Sequence, residues 1–204
     1  MLSSLHPTKR LLVEATISLF GTLGVDEVTS DMVLEKSKVS KGSLYHHFSD
    51  FSELLELSKV YLVSEYVNST ITIMELLLKS CNSRQDLVTN LRGLTRRTQN
   101  EASERTRYIR IRSLAVAVHS PRLRLILASE QERLTNSFAD LFREAQERGW
   151  GSKKVDPRAM GIFVQAYTIG RVLDEFAPTH MDEEKWFHIV DLVIEKVFLG
   201  VESA

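Results

Sequence analysis

Val39-Ser40-Lys41-Gly42-Ser43-Leu44-Tyr45-His46-His47-Phe48 is the stretch that decides how the rest of the chain is read. Ser40 carries a hydroxyl able to accept an amide hydrogen bond from the first turn of a helix. The residues after it are small or polar as far as Ser43, so nothing bulky closes that helix N-terminus. Free N–H groups and the positive end of the helix dipole favour a phosphate at such a place. Leu44 and Phe48, four apart, give the short helix one apolar edge, which leaves Lys41, Ser43, Tyr45, His46 and His47 facing outward. Side chains of these kinds hydrogen-bond phosphates and base edges, and a helix serving only a core has no need of them at this density.

Upstream, Thr29 is placed to cap a helix running to about Ser37, with Val33 and Leu34 turned inward and Lys38-Val39-Ser40 as the turn. A short helix, a tight turn and a second exposed helix form a helix-turn-helix, which lays its second helix in the major groove. Thr8-Lys9-Arg10 opens an earlier helix through Leu19-Phe20, followed by Gly24. With these residues, the chain over roughly 8–55 resembles the DNA-binding domain of the TetR family of transcriptional regulators. The resemblance implies a double-stranded DNA operator and a contact set of Thr29, Ser40, Lys41, Gly42, Ser43, Tyr45, His46 and His47. Lys41, Gly42 and Ser43 are then expected at bases and the others at phosphates. Five positions depart from the family pattern. Ser37-Lys38 replaces an Ala-Gly pair and Leu34 an alanine, while Phe51 and Asp31 stand where basic residues are common.

Lys and Arg number 26 against 27 Asp and Glu, so the chain as a whole is no polycation. In the first fifty residues Lys9, Arg10, Lys36, Lys38 and Lys41 face Glu14, Asp26, Glu27, Asp31, Glu35 and Asp50. A basic DNA footprint therefore depends on placement, with Lys38 and Lys41 at the turn. No apolar run approaches the roughly 18 residues of a membrane span. The start, Met1-Leu2-Ser3-Ser4-Leu5, is too short and uncharged for a signal peptide, and Cys81 has no partner for a disulfide or a cysteine metal cluster. A cytoplasmic protein without cofactor or metal is expected. His46 and His47, being adjacent on a helix, diverge by about 100° and do not converge on an ion.

Helical spacing continues to the end: 8–23, 52–68, a segment 71–81 that either continues that helix or bends away, then 84–102, 104–118, 121–148, 157–176 and 182–200. No strand alternation or hairpin signal interrupts it. The chain reads as all α, with an N-terminal three-helix helix-turn-helix domain (1–52) and a larger helical ligand-binding and dimerisation domain (53–204). The helices at 156–176 and 182–200 are apolar over wide arcs and are expected to form a homodimer, with Gly161 and Gly170 allowing close approach.

Seven arginines lie between 92 and 112. They form either a solvated face or, for one or two, a holder for an anionic ligand. Tyr108, Ile111, Ala115 and Val118 make an apolar stripe on the same helix. A small-molecule effector, including an organic anion, is expected among Arg107, Tyr108, Arg110, Phe138, Phe142, Phe163 and Tyr167. Gly151-Ser152-Lys153 lacks the preceding strand and the spacing of a phosphate loop and is a helix stop. No Ser/His/Asp or Cys/His constellation marks a nucleophile, and no catalytic residue is assigned. The reading is a repressor released from a palindromic operator. Its alternative is an all-helical enzyme or binding module that keeps the helix-turn-helix as a scaffold.

Overall fold

The computed structural model describes residues 5–24, 27–118 and 120–201. Helix α1 spans Pro7–Phe20, opened by a proline whose fixed φ suits a first helical turn. It stops one turn before the expected Gly24: the Gly21 N–H closes it on the Ile17 and Ser18 carbonyls, and the Gly24 N–H goes to Glu27 Oε2 at 2.8 Å. Helix α2 spans Ser30–Ser37 and α3 spans Lys41–His47, with Thr29 and Ser40 as their side-chain caps. Lys38 between them has φ 57°, a left-handed conformation that costs a non-glycine residue about 1–2 kcal/mol. Leu12, Val13, Phe20, Val33, Leu44 and Phe48 close over one another as the core of this unit.

Helix α4 then runs without a break over Phe51–Ser80, so 71–81 continues the helix rather than bending away. Asp50 accepts the Glu53 N–H while Glu53 accepts the Ser49 N–H, a reciprocal capping arrangement. Leu54 and Tyr61 complete the N-terminal core, and Val67, Met74 and Leu77 belong to the core of the body. The expected domain division at 52/53 falls in the first turn of this shared helix.

The body contains α5 (Arg84–Gln99), α6 (Glu104–Ala117), α7 (Pro121–Glu147), α8 (Pro157–Gly170), a short α9 (Val172–Glu175) and α10 (Glu183–Leu192). Ser83, Ser120, Asp156 and Asp182 cap α5, α7, α8 and α10. The helix expected over 157–176 is interrupted at Gly170-Arg171, and the last helix widens into a π turn at Val193–Phe198. Among the described residues there is no strand. Helix α7 is central: Leu134, Phe138, Leu141 and Phe142 pack among residues of α4, α8 and the π turn.

Gly161 was expected to permit approach between two copies. The structure instead sets it against α7 of the same chain, where an added Cβ would lie 2.9 Å from Phe138 Cβ. Gly170 faces open space. Gly161→Ala is expected to destabilise the protein, because overpacking of about 1–3 kcal/mol outweighs the ~1 kcal/mol gain in helix propensity. Gly93→Ala, in a helix with nothing within 4 Å of the new methyl, is expected to stabilise by about 0.5–1 kcal/mol. Urea denaturation of the two variants gives shifts of opposite sign if α7 and α8 pack as described.

Candidate functional site

The outer side of α3 and the ends of its neighbours make the first candidate surface. Lys41, Gly42, Tyr45 and His46 are exposed, Ser43 and His47 half-buried, and Leu44 and Phe48 hold the helix down from below. Ser40 Oγ accepts the Ser43 N–H at 3.2 Å and lies 2.9 Å from Ser43 Oγ, so the first turn of α3 is already partly capped from within. Thr29 and Ser40 are exposed at the starts of α2 and α3. Lys9 Nζ sits 4.6 Å above the Phe48 ring, which brings a cation from α1 to the end of α3. His6, unmarked in the sequence, places its ring 4.6 Å from that of His47, which is in turn 5.1 Å from His46. Partial burial first, then the nearby His6, His46 and Lys9 charges, pulls the His47 pKa below its ordinary value. Among the described residues no group of three His, Cys, Asp or Glu side chains could hold a metal ion. Phe51 is half-buried against the N-terminal core, so the side chain at this departure from the family pattern is used in packing.

The second site is a cavity of about 290 Å³ inside the body, bounded by α4, α5, α6, α7, α8 and the final helical turns. Met74, Phe138, Phe142, Met160, Ile194 and Phe198 supply most of its apolar wall. Tyr66, Thr95, Thr98, Gln165, Tyr167 and Arg110 supply polar atoms. Gln165 is fixed by Gln131 at 2.6 Å and Thr135 at 3.2 Å, which ties α7 to α8 at the cavity edge. Burial raises the Tyr167 pKa, so its phenol stays neutral.

Four of the seven expected ligand residues meet at this cavity: Arg110, Phe138, Phe142 and Tyr167. Arg107, Tyr108 and Phe163 are not among its lining residues, and each has another occupation. The Arg107 guanidinium is ion-paired with Glu175 and donates to the Thr98 and Asn100 carbonyls at 2.9 and 3.1 Å. Tyr108 stands against the Phe176 ring at 5.6 Å. Phe163 is 46% exposed on the outer side of α8. Tyr66, Thr95 and Gln165 are among the many wall residues that the sequence reading missed, since no local pattern distinguishes them from ordinary helix positions.

Helix α6 buries a side about 100° round from its apolar stripe, leaving Tyr108 and Ile111 half-buried. Ala115 and Val118 are exposed, whereas Arg107, Arg110, Ser113 and Ala117 are buried. Partners elsewhere in the fold make this rotation tolerable, because a buried cation needs hydrogen bonds or an opposite charge. The arginine cluster is neither a bare solvated face nor a single anion holder. Arg92 and Arg96 reach Asp191 across to α10, and Arg105 donates to the Phe20 and Leu23 carbonyls at 2.6 and 3.0 Å. That last contact fastens the start of α6 to the end of α1.

Residues 12–57 match the profile described as bacterial regulatory proteins, tetR family. The chain is a DNA-binding transcriptional regulator whose residues 12–57 match the DNA-binding domain of the TetR family. The regulator is 25% identical over 174 residues to the HTH-type transcriptional regulator BetI of Escherichia coli (strain SMS-3-5), covering 82% of this chain and 86% of BetI. Its fold is shared by Salmonella enterica GusR, with a TM-score of 0.69 at 19% identity over 96% of each chain. It is shared too by a Saccharomonospora viridis transcriptional regulator solved in complex with choline, with a TM-score of 0.71 at 13% identity over 94% of this chain and 97% of that one. BetI and the Saccharomonospora viridis protein are described as transcriptional regulators, which gives no support to an enzyme on a helix-turn-helix scaffold. No helix among the regulator's described residues is long and apolar enough to cross a membrane.

The histidine cluster generates a pH prediction. Phosphates favour the charged imidazole, so a histidine whose pKa is held low in the free regulator takes up a proton on binding DNA. Affinity is therefore expected to rise as pH falls from about 7.5 to about 5.5, by up to roughly tenfold per unit of pKa change. Fluorescence anisotropy with labelled operator measures this, and His47→Gln should flatten the rise.

Proposed function

We propose that the regulator is a repressor that binds a two-fold symmetric operator as a homodimer and leaves it when a small, largely apolar effector fills the cavity. One observation carries the effector reading: α6 contributes Arg110 to the cavity wall and, through Arg105, holds the carbonyl end of α1 in the DNA-binding unit. A ligand can shift DNA affinity only by favouring one arrangement of the two DNA-binding units over another, and α6 touches both the ligand site and that unit. Choline, seen in one structural neighbour, is not proposed here. It would bring a second cation to a cavity whose lining holds Arg110 and no carboxylate.

The dimer reading is supported by an apolar band on α8–α10 and the π turn. Ile162, Leu173, Phe176, Ile189 and Val197 are between 47% and 82% exposed in the single chain, and large apolar side chains left open on neighbouring elements are of the kind that marks an interface. Two copies related by two-fold symmetry would present two α3 helices to major grooves with half-site centres about 34–36 Å apart, or a multiple. Lys41, Gly42 and Ser43 are proposed at bases, and Thr29, Ser40, Tyr45, His46 and His47 mainly at phosphates. The regulator would act in the cytoplasm, with the DNA it binds.

A gel shift with DNA flanking the regulator's own gene tests the whole reading. Lys41→Ala is expected to cost about 1–3 kcal/mol of specific binding and to change sequence preference. Tyr45→Phe should weaken all sequences alike. Failure of the wild type to shift any flanking fragment would overturn the repressor.

Arg105→Ala provides the test of coupling. Effector binding by calorimetry should be retained, while the effector concentration needed to release operator rises severalfold. Unchanged release would show that the signal leaves the body by another contact.

A further inference from the structure

Resting on the reading of the cavity as an effector site, we propose that the effector is an organic anion whose acid group pairs with Arg110 and whose apolar body fills the rest. Arg110 is 7% exposed, and among the described residues no carboxylate reaches it. Arg92, Arg96, Arg107 and Arg171 all have acidic partners, so Arg110 differs from the other arginines of the same interior. Its guanidinium lies 4.6 Å over the Tyr66 ring, and Nη1 donates to the Tyr66 hydroxyl oxygen at 3.1 Å. A ring face offsets part of the cost of a buried cation, far from all of it.

The same geometry prepares a second donor. Because the Tyr66 oxygen accepts from Arg110, its own O–H remains to be given to a bound acceptor. Several other hydroxyls of the wall are committed elsewhere. Thr70, Thr98 and Thr168 donate to the Tyr66, Leu94 and Val164 carbonyls of their own helices. Arg110 is the charged donor in the cavity lining, with the Tyr66 hydroxyl beside it, and a carboxylate takes two such donors well. Arg110 and Tyr66 also border a small pocket beside Ser113 and Gln131, so the acid group lies at that end. The tail faces Met74, Phe142 and Ile194. A volume of 290 Å³ holds roughly ten non-hydrogen atoms at the ~30 Å³ that each takes in liquid water. Octanoate is of that size.

The test is calorimetric titration of the full-length protein with octanoate, octanamide and octyltrimethylammonium, repeated on Arg110→Met and Tyr66→Phe. Octanoate should bind about tenfold or more tightly than octanamide, and the cation not measurably. Arg110→Met should remove the advantage of octanoate and leave octanamide unchanged. Tyr66→Phe keeps the ring beneath the guanidinium and should reduce that advantage partly, which keeps the test decisive if Arg110→Met does not fold. Equal binding of acid and amide in the wild type, or an advantage that survives both substitutions, would overturn the anion and leave the cavity as an effector site. Binding by none of the three would overturn both.

Discussion

Apolar packing along α4 is the constraint on which both halves of the molecule depend. One face of its first turns closes the core made by α1, α2 and α3 through Leu54 and Tyr61. Further along, Val67, Met74 and Leu77 enter the core built on α7. A helix that serves two cores cannot turn in one without disturbing the other, since both are close-packed. The two units therefore have separate interiors and a common beam. Over thirty residues that beam is about 45 Å long at the ~1.5 Å rise of an α-helix.

Helix α6 obeys a different rule. Its buried side is polar, and it holds its place by specific bonds rather than by the general attraction between apolar surfaces. The Arg107–Glu175 pair, closed by two main-chain carbonyls, joins α6 to the loop region after α5 and to α9. Directional contacts of this kind permit a few discrete positions and exclude the intermediate ones. An apolar face in the same place would slide more freely. This is why α6, rather than the better-packed α7, suits the signalling part that the proposed function gives it.

The DNA-binding unit was legible in the sequence because its determinants are local. Thr29, Ser40 and Asp50 act on amides three residues away, and the turn at Lys38 lies between two helices of fewer than ten residues. Much of the all-helical body was legible for the same reason: acidic or hydroxyl caps, two of them followed by proline, stand at the starts of α5, α7, α8 and α10. What could not be read is which side of α6 faces inward. The apolar stripe and the buried side lie one residue apart, about 100° around the helix. The choice between them is made by Glu175 and Tyr66, which are 68 and 44 residues away in the chain. Gly161 was misread on similar grounds, because nothing nearby in sequence says that Phe138 lies across from it.

The π turn at Val193–Phe198 sits in the cavity wall, where Val190, Val193, Ile194 and Phe198 all contribute. A π turn holds one residue more than an α turn, and so resets the angular order of every side chain after it. Phe198 reaches the cavity and the edge of Phe142 from beyond that extra residue. Side-chain volume is the familiar means of reshaping a binding site. Here the count of residues in the last helix is a second one, so a gain or loss of a single codon alters the floor of the cavity without changing the identity of any residue that lines it.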